Sequence, residues 1–164
     1  MSCTTLRGRH RHDPQRTLAD MAKPRAPTIF TSPQDAALAF YQAFEAKDVD
    51  AMMATWAEDE EIVCVHPGGP RLVGFDAVRL GWEQIFTGET KLLFRLDEIV
   101  VLETVGMALQ SAIEQVTVGD DPAPRGIAIA SNVFLRTPSG WRMVSHHASP
   151  APTMTVSTPA GPLH

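Results

Sequence analysis

Few side chains in this sequence could move a proton or hold an oxyanion, and most of them fall in three places. In "VCVHPGGP" (63–70), His66 ends an apolar run two residues after Cys64 and directly before a Pro-Gly-Gly-Pro turn. In "RGIAIASNVFLR" (125–136), Asn132 stands among small and aliphatic residues, and "WRMVSHHAS" (141–149) carries the pair His146 and His147. Imidazole ordinarily titrates near pH 6.5, so His66 has the chemistry of a general base at neutral pH, for a proton beside a carbonyl or for water. The Asn132 amide could donate to a developing oxyanion without unusual protonation. His146 or His147 could assist as acid or orienter, but neighbours in a strand face opposite ways, so one of the two reaches the site.

Blander readings stand beside these. His66 could bond a backbone carbonyl in its turn and do no chemistry. Cys64 sits in an apolar row that disfavours a thiolate, so it reads as a small buried hydrophobe. Cys64, His66 and one further histidine do not form a standard zinc set, and no metal or cofactor is expected. The "PGGP" turn lacks the Lys-Ser/Thr of a phosphate loop.

The elements that must position these residues are legible. Ser32, Pro33 and Asp35 mark a helix start, and Ala37, Phe40, Tyr41 and Phe44 follow at helical spacing. Asp48 caps a second helix with Val49, Met52, Met53 and Trp56 on one stripe. A third follows Gly74, with Phe75, Val78, Trp82, Ile85 and Phe86 on one side. Between the last two lies a short strand, "EIVCVH". From Leu92 the pattern changes to four long strands, "LLFRLDEIVVLE", "MALQSAIEQVTV", "RGIAIASNVFLR" and "WRMVSHHAS", separated by turn residues. Helices followed by an antiparallel meander read as α+β, a curved sheet wrapped around about three N-terminal helices.

Alternation then assigns faces. Ile62, Cys64 and His66 share one side of the short strand. Gly126, Ala128, Ala130, Asn132 and Phe134 share one side of the third long strand, and Ile127, Ile129, Val133 and Leu135 the other. Small residues around a single amide predict a cavity, with Tyr41, Trp56, Cys64, Trp82, Ala130 and Phe134 as its expected wall. An aromatic side chain from the helices could instead fill that space. The aliphatic opposite face needs cover, which predicts a homodimer through the convex side of the sheet.

The run "AFYQAFEAKDVDAMMATWAEDEEIVCVHPGGPRLVGFDAVRLGWEQIF", with "SNVFLRTPSGWRMVSHHAS" later, resembles the SnoaL-like branch of the NTF2-like superfamily, over about residues 33–149. The resemblance implies an NTF2-like cone. The superfamily includes ketosteroid isomerase, and it hosts isomerases, cyclases, dehydratases, hydrolases and binding proteins. In ketosteroid isomerase-like proteins a carboxylate before a proline is the base, and the matching residue here is His66, before Pro67. A protonated aspartate before an apolar pair maps onto Asn132. A helix-one tyrosine falls at Phe40, which has no hydroxyl, and the adjacent Tyr41 should point about 100° round the helix. These departures speak against steroid isomerisation itself. The expected function is a pocket for a small apolar, carbonyl-bearing ligand, with proton transfer or isomerisation if it is an enzyme (a related lyase or hydrolase included). The alternative is a non-catalytic binding or dimerisation module.

Composition limits the other classes. The 164 residues fit one domain, and no run approaches a membrane span. Two cysteines and no apolar leader predict a reducing, cytoplasmic setting. Residues 1–25 hold six basic against two acidic side chains, a net of +4, which leaves −9 of the overall −5 on the remainder. An acidic body argues against nucleic acid as the main partner. Residues 1–31 are expected to be a flexible basic tail, 32–149 the domain, and 150–164 a second flexible tail. Met21 offers an alternative start.

Overall fold

A computed structural model of the chain describes residues 28–119 and 121–151. The expected basic segment up to residue 27 and the chain beyond 151 lie outside the described residues. Three helices, α1 (Pro33–Ala46), α2 (Val49–Ala54) and α3 (Phe75–Phe86), pack on one side of a six-stranded sheet. Its strands are β1 (Val63–Val65), β2 (Arg71–Val73), β3 (Leu92–Glu103), β4 (Met107–Val118), β5 (Asp121–Thr137) and β6 (Gly140–Pro150), in the order β2-β1-β6-β5-β4-β3.

The helix ends follow from their capping residues. Ser32 Oγ accepts from the Asp35 N–H at 3.0 Å, and Asp48 Oδ1 accepts from Ala51 N–H at 2.8 Å. Lys47 turns left-handed at φ 53° and closes α1 by donating its N–H to the carbonyls of Ala43 and Phe44. α2 ends two residues before Trp56, which instead bridges to Met143 of β6.

The long strands pair antiparallel as the sequence predicts. β1, however, runs parallel to β6, so the sheet is mixed, and the short strand β2 beyond the Pro-Gly-Gly-Pro turn was not foreseen. Three register shifts curve the sheet, between Asp97 and Val100 of β3, between Val116 and Val118 of β4, and between Val133 and Phe134 of β5. Glu98, at φ 49°, forms part of the first. Its one extra residue exchanges the faces of β3, so that Phe94 and Leu96 pack against the core while Val100 and Leu102 stand exposed on the convex side.

Phe30 belongs to the folded body. It is buried, bridges to Gly140, and accepts the Trp141 N–H at 2.9 Å. Gly140 sits at φ 97°, where a Cβ would come 2.6 Å from the Phe30 carbonyl oxygen, so this approach requires glycine. Arg142 donates to the carbonyls of Thr28 and Trp141 with its guanidinium over the Phe30 ring, which fastens this segment to the sheet. Trp56, Phe134, Met52 and Met143 pack fully buried against Phe40 and the other core residues.

Candidate functional site: a cavity under the alanine row

The register explains why a cavity forms. One row across the inner face of the sheet reads Gln110 on β4, Asn132 on β5, His146 on β6 and Cys64 on β1. The next row is Ala112, Ala130 and Ala148, and beyond it Glu114 lies opposite Ala128. Ala148 of this row and Ala128 beyond it leave space that larger side chains would fill. The result is a cavity of about 230 Å³ walled by Phe40, Tyr41, Phe44, His66, Pro67, Trp82, Ile85, Leu92, Phe94, Glu114, Val116, Ala128, His146 and Ala148. A larger open groove, of about 450 Å³, runs between α1 and α2, but alanines form half of its wall and Asp48 and Asp50 are its titratable groups. The smaller cavity is the one of the two that histidines line.

Of the residues singled out from sequence, His66, His146, Tyr41 and Trp82 meet at this cavity. Trp56, Cys64, Ala130, Asn132 and Phe134 are buried but do not line it. Strand alternation divides the histidine pair: His146 points inward and is buried, while His147 is exposed on the outer face, away from the cavity. Tyr41 does reach the site, because the cavity lies to that side of Phe40.

Asn132 is the hub of a buried network. Its Nδ2 donates to the Tyr41 hydroxyl at 3.2 Å and to Gln110 Oε1 at 3.1 Å, and its Oδ1 lies 2.7 Å from His146 Nδ1. With the amide nitrogen committed to two acceptors, Oδ1 must accept, so His146 carries its proton on Nδ1 and its lone pair on Nε2. Tyr41 in turn donates to Glu114 Oε1 at 2.8 Å. The expectation of Asn132 as a donor to a ligand therefore gives way to a positioning role, since both its amide atoms are engaged inside the protein.

The turn after β1 is closed by backbone, with Gly69 N–H donating to the His66 carbonyl at 2.9 Å. The His66 side chain instead places Nε2 3.6 Å from Cys64 Sγ, a weak sulfur contact, and sets its ring edge-on to Trp82 at 4.4 Å between centroids. Burial pushes the Cys64 thiol up to about 12 and lowers His66 to about 4. His66 is thus a weaker base than an unperturbed histidine, but one that stays unprotonated throughout the neutral range. His146 falls to about 3, through burial first and then the charges of His66 and His147. Burial also raises Tyr41, and it raises Glu114 against the opposing effect of the Tyr41 hydrogen bond.

Glu114 and Gln110 were missed in the sequence. The signal was present: in "MALQSAIEQVTV" the positions Ala108, Gln110, Ala112, Glu114 and Val116 share a face, the same small-and-polar pattern that marked Ala128, Ala130 and Asn132. Among the described residues, no group of three or more His, Cys, Asp or Glu is placed to hold a metal ion. Nor is any helix among them long and apolar enough to cross a membrane.

Residues 34–154 match the SnoaL-like domain, and the chain belongs to that family, within the NTF2-like superfamily. A Thiobacillus denitrificans protein, provisionally assigned as a calcium/calmodulin-dependent protein kinase type II association domain, is 39% identical, with a TM-score of 0.69 over 76% of this chain and 99% of that one. An NTF2-like protein of Streptomyces avermitilis, provisionally assigned as a dehydratase, is 34% identical, with a TM-score of 0.65 over 71% of this chain and 91% of that one. The F-box protein SKIP8 of Arabidopsis thaliana is 24% identical over 110 residues, 67% of this chain, which spans only 46% of that protein.

Proposed function

We propose that the cavity binds an uncharged, mainly apolar small molecule carrying a carbonyl, and that His66 acts on it as proton acceptor. The observation that carries this reading is the wall itself. Aromatic and alanine surface surrounds imidazoles that burial keeps neutral, and the wall's one carboxyl, Glu114, is buried without a cation, so an anionic ligand would meet no counter-charge there, whereas an apolar one loses little on leaving water. The Streptomyces protein's provisional assignment as a dehydratase supports chemistry of the proton-transfer class. The test is the side-chain NMR signal of His66 during addition of cyclohex-2-enone in heavy water. The expected result is a shift of that signal and deuterium entering the enone beside its carbonyl. Ala128→Leu, which fills the cavity from β5, should abolish both while the fold persists. Binding without exchange would favour a non-catalytic module, and a silent His66 signal would overturn the ligand reading.

We further propose that the convex face takes a second copy of the chain. Ile127, Ile129 and Leu135 of β5, Met107 of β4, and Val100 and Leu102 of β3 stand exposed there, and the rows between them carry Ser111, Ser131 and His147. Four strands of this length present roughly 40 by 20 Å, close to the ~800 Å² per partner that a stable interface covers. The outward positions of β4 and β5 from Leu109 to Ile113 and from Ile127 to Leu135 hold no charge, which suits a self-complementary contact. The Thiobacillus protein's provisional assignment as an association domain points the same way. Sedimentation should find a dimer for the native chain and a monomer for Ile129→Glu. A monomeric native chain would refute the proposal.

A further inference from the structure

Glu114 is the cavity group to which the reading above gives no task. Its side chain is buried, and it lies two residues along β4 from the alanine row. Oε1 accepts from Tyr41, Oε2 has no partner among the described residues, and no described Lys or Arg pairs with the carboxyl. A buried carboxyl without a cation and with one unengaged oxygen is most cheaply held with a proton on that oxygen. Tyr41 is not the donor to a ligand, because its proton is given to Oε1 and its oxygen accepts from Asn132. His146 presents a lone pair. That leaves the carboxylic acid of Glu114 as the proton donor on this wall, while His66 approaches from the far side of β6 and β5, with Ala128 and Ala148 forming the floor between them.

We propose that Glu114 is the acid partner of His66, and that the pair makes this a site for eliminating water from a neutral β-hydroxy carbonyl compound. The proposal rests on the reading of His66 as base and adds the second group that such a reaction needs. Shifting a proton between two carbons can be done by one base. Expelling a hydroxyl group calls for a separate acid, because hydroxide is a poor leaving group until protonated. In the step, His66 takes the proton from the carbon beside the carbonyl, and the freed electron pair becomes the carbon–carbon double bond. The bond from the β-carbon to oxygen breaks, its electrons stay on oxygen, and the oxygen takes the Glu114 proton and leaves as water. His66 is then an imidazolium and Glu114 a carboxylate. Return of the proton through the released water restores both, and no oxidant, reductant or cofactor is consumed. Tyr41, held by Asn132, is a positioning residue that fixes Oε1 so that Oε2 faces the ligand.

The test uses the full chain and two probes. In infrared spectra at neutral pH, a protonated-carboxyl band should be present in the native chain, absent from Glu114→Gln, and displaced when cyclohex-2-enone is added. With 3-hydroxycyclohexan-1-one, the native chain should form the enone, read by its ultraviolet absorbance. Glu114→Gln should slow this on the order of 10²- to 10⁴-fold. The His66 signal should still respond to cyclohexenone in that variant, which checks that the cavity is intact. Absence of the carboxyl band, or a band that ignores cyclohexenone while His66 responds, overturns the role of Glu114 and leaves the His66 reading standing. A band that shifts without enone formation overturns the elimination. If neither group responds, it is the ligand reading itself that fails.

Discussion

Replacing Asn132 with alanine should destabilise the protein by about 3–5 kcal/mol, because one buried amide serves three partners that water does not reach. Asn132 is completely buried, and its removal strands Gln110 Oε1, takes the donor from the Tyr41 oxygen, and leaves the His146 Nδ1 proton without an acceptor. Each unsatisfied buried group costs about 1–3 kcal/mol, and the hole left in the row adds a smaller packing loss. The losses should not be repaired by Asn132→Leu, which refills the volume but restores no hydrogen bond. Asn132→Asp should fail differently. A carboxylate would still accept from His146 but would confront the Tyr41 and Gln110 oxygens with no donor of its own, so its deficit should shrink as acid protonates it. Urea unfolding with an unchanged slope would measure these differences. A loss below about 1 kcal/mol in Asn132→Ala would mean that the network is not closed as described.

The same residue shows what could and could not be read from the sequence. Alternation alone put Asn132 on the inner face beside Ala128 and Ala130, and the helix starts at Ser32 and Asp48 followed from capping chemistry. These are local rules, and they locate elements and faces. What Asn132 bonds to depends on which strands lie beside β5, and the partners Gln110 and His146 are 22 and 14 residues away, with Tyr41 91 residues away. No local pattern fixes that. The parallel pairing of β1 with β6 is likewise a tertiary fact, since a three-residue strand carries too little alternation to declare its neighbour. Glu114 was hidden for another reason. A glutamate in a strand reads as solvent-facing unless its face is already known to be buried, and the face of β4 becomes plain only when it is registered against β5.

Burial of two neutral imidazoles should make the protein acid-labile over a defined window. In the unfolded chain His66 and His146 have the ordinary value of 6.5, whereas in the folded protein they lie at about 4 and about 3. Below pH 6.5 the unfolded chain therefore binds protons that the folded one refuses, so unfolding takes up protons and stability falls as the pH falls. The loss begins near pH 6.5 and continues to about 4 for His66 and about 3 for His146. Each pH unit of such a window is worth about 1.4 kcal/mol per group, so His66, which is only partly buried, should account for about 2–3 kcal/mol and His146 for at least as much. Together they rival the 5–15 kcal/mol that holds a typical domain folded. Glu114 works in the opposite sense. Its folded value is raised above the ordinary carboxyl value of 4.5, so its contribution is complete below that value and is lost as the pH rises through the folded one. The predicted profile is a maximum with an acid limb set by the histidines and an opposing limb set by Glu114. Urea midpoints measured between pH 4 and 8 should show His66→Phe flattening the acid limb by about half without moving the other. Glu114→Gln should do the reverse. A Glu114→Gln profile, free of the opposing carboxyl, that stays level between pH 6.5 and 4 would show that the imidazoles are hydrated in the folded protein, and the neutral cavity on which the ligand reading depends would go with it.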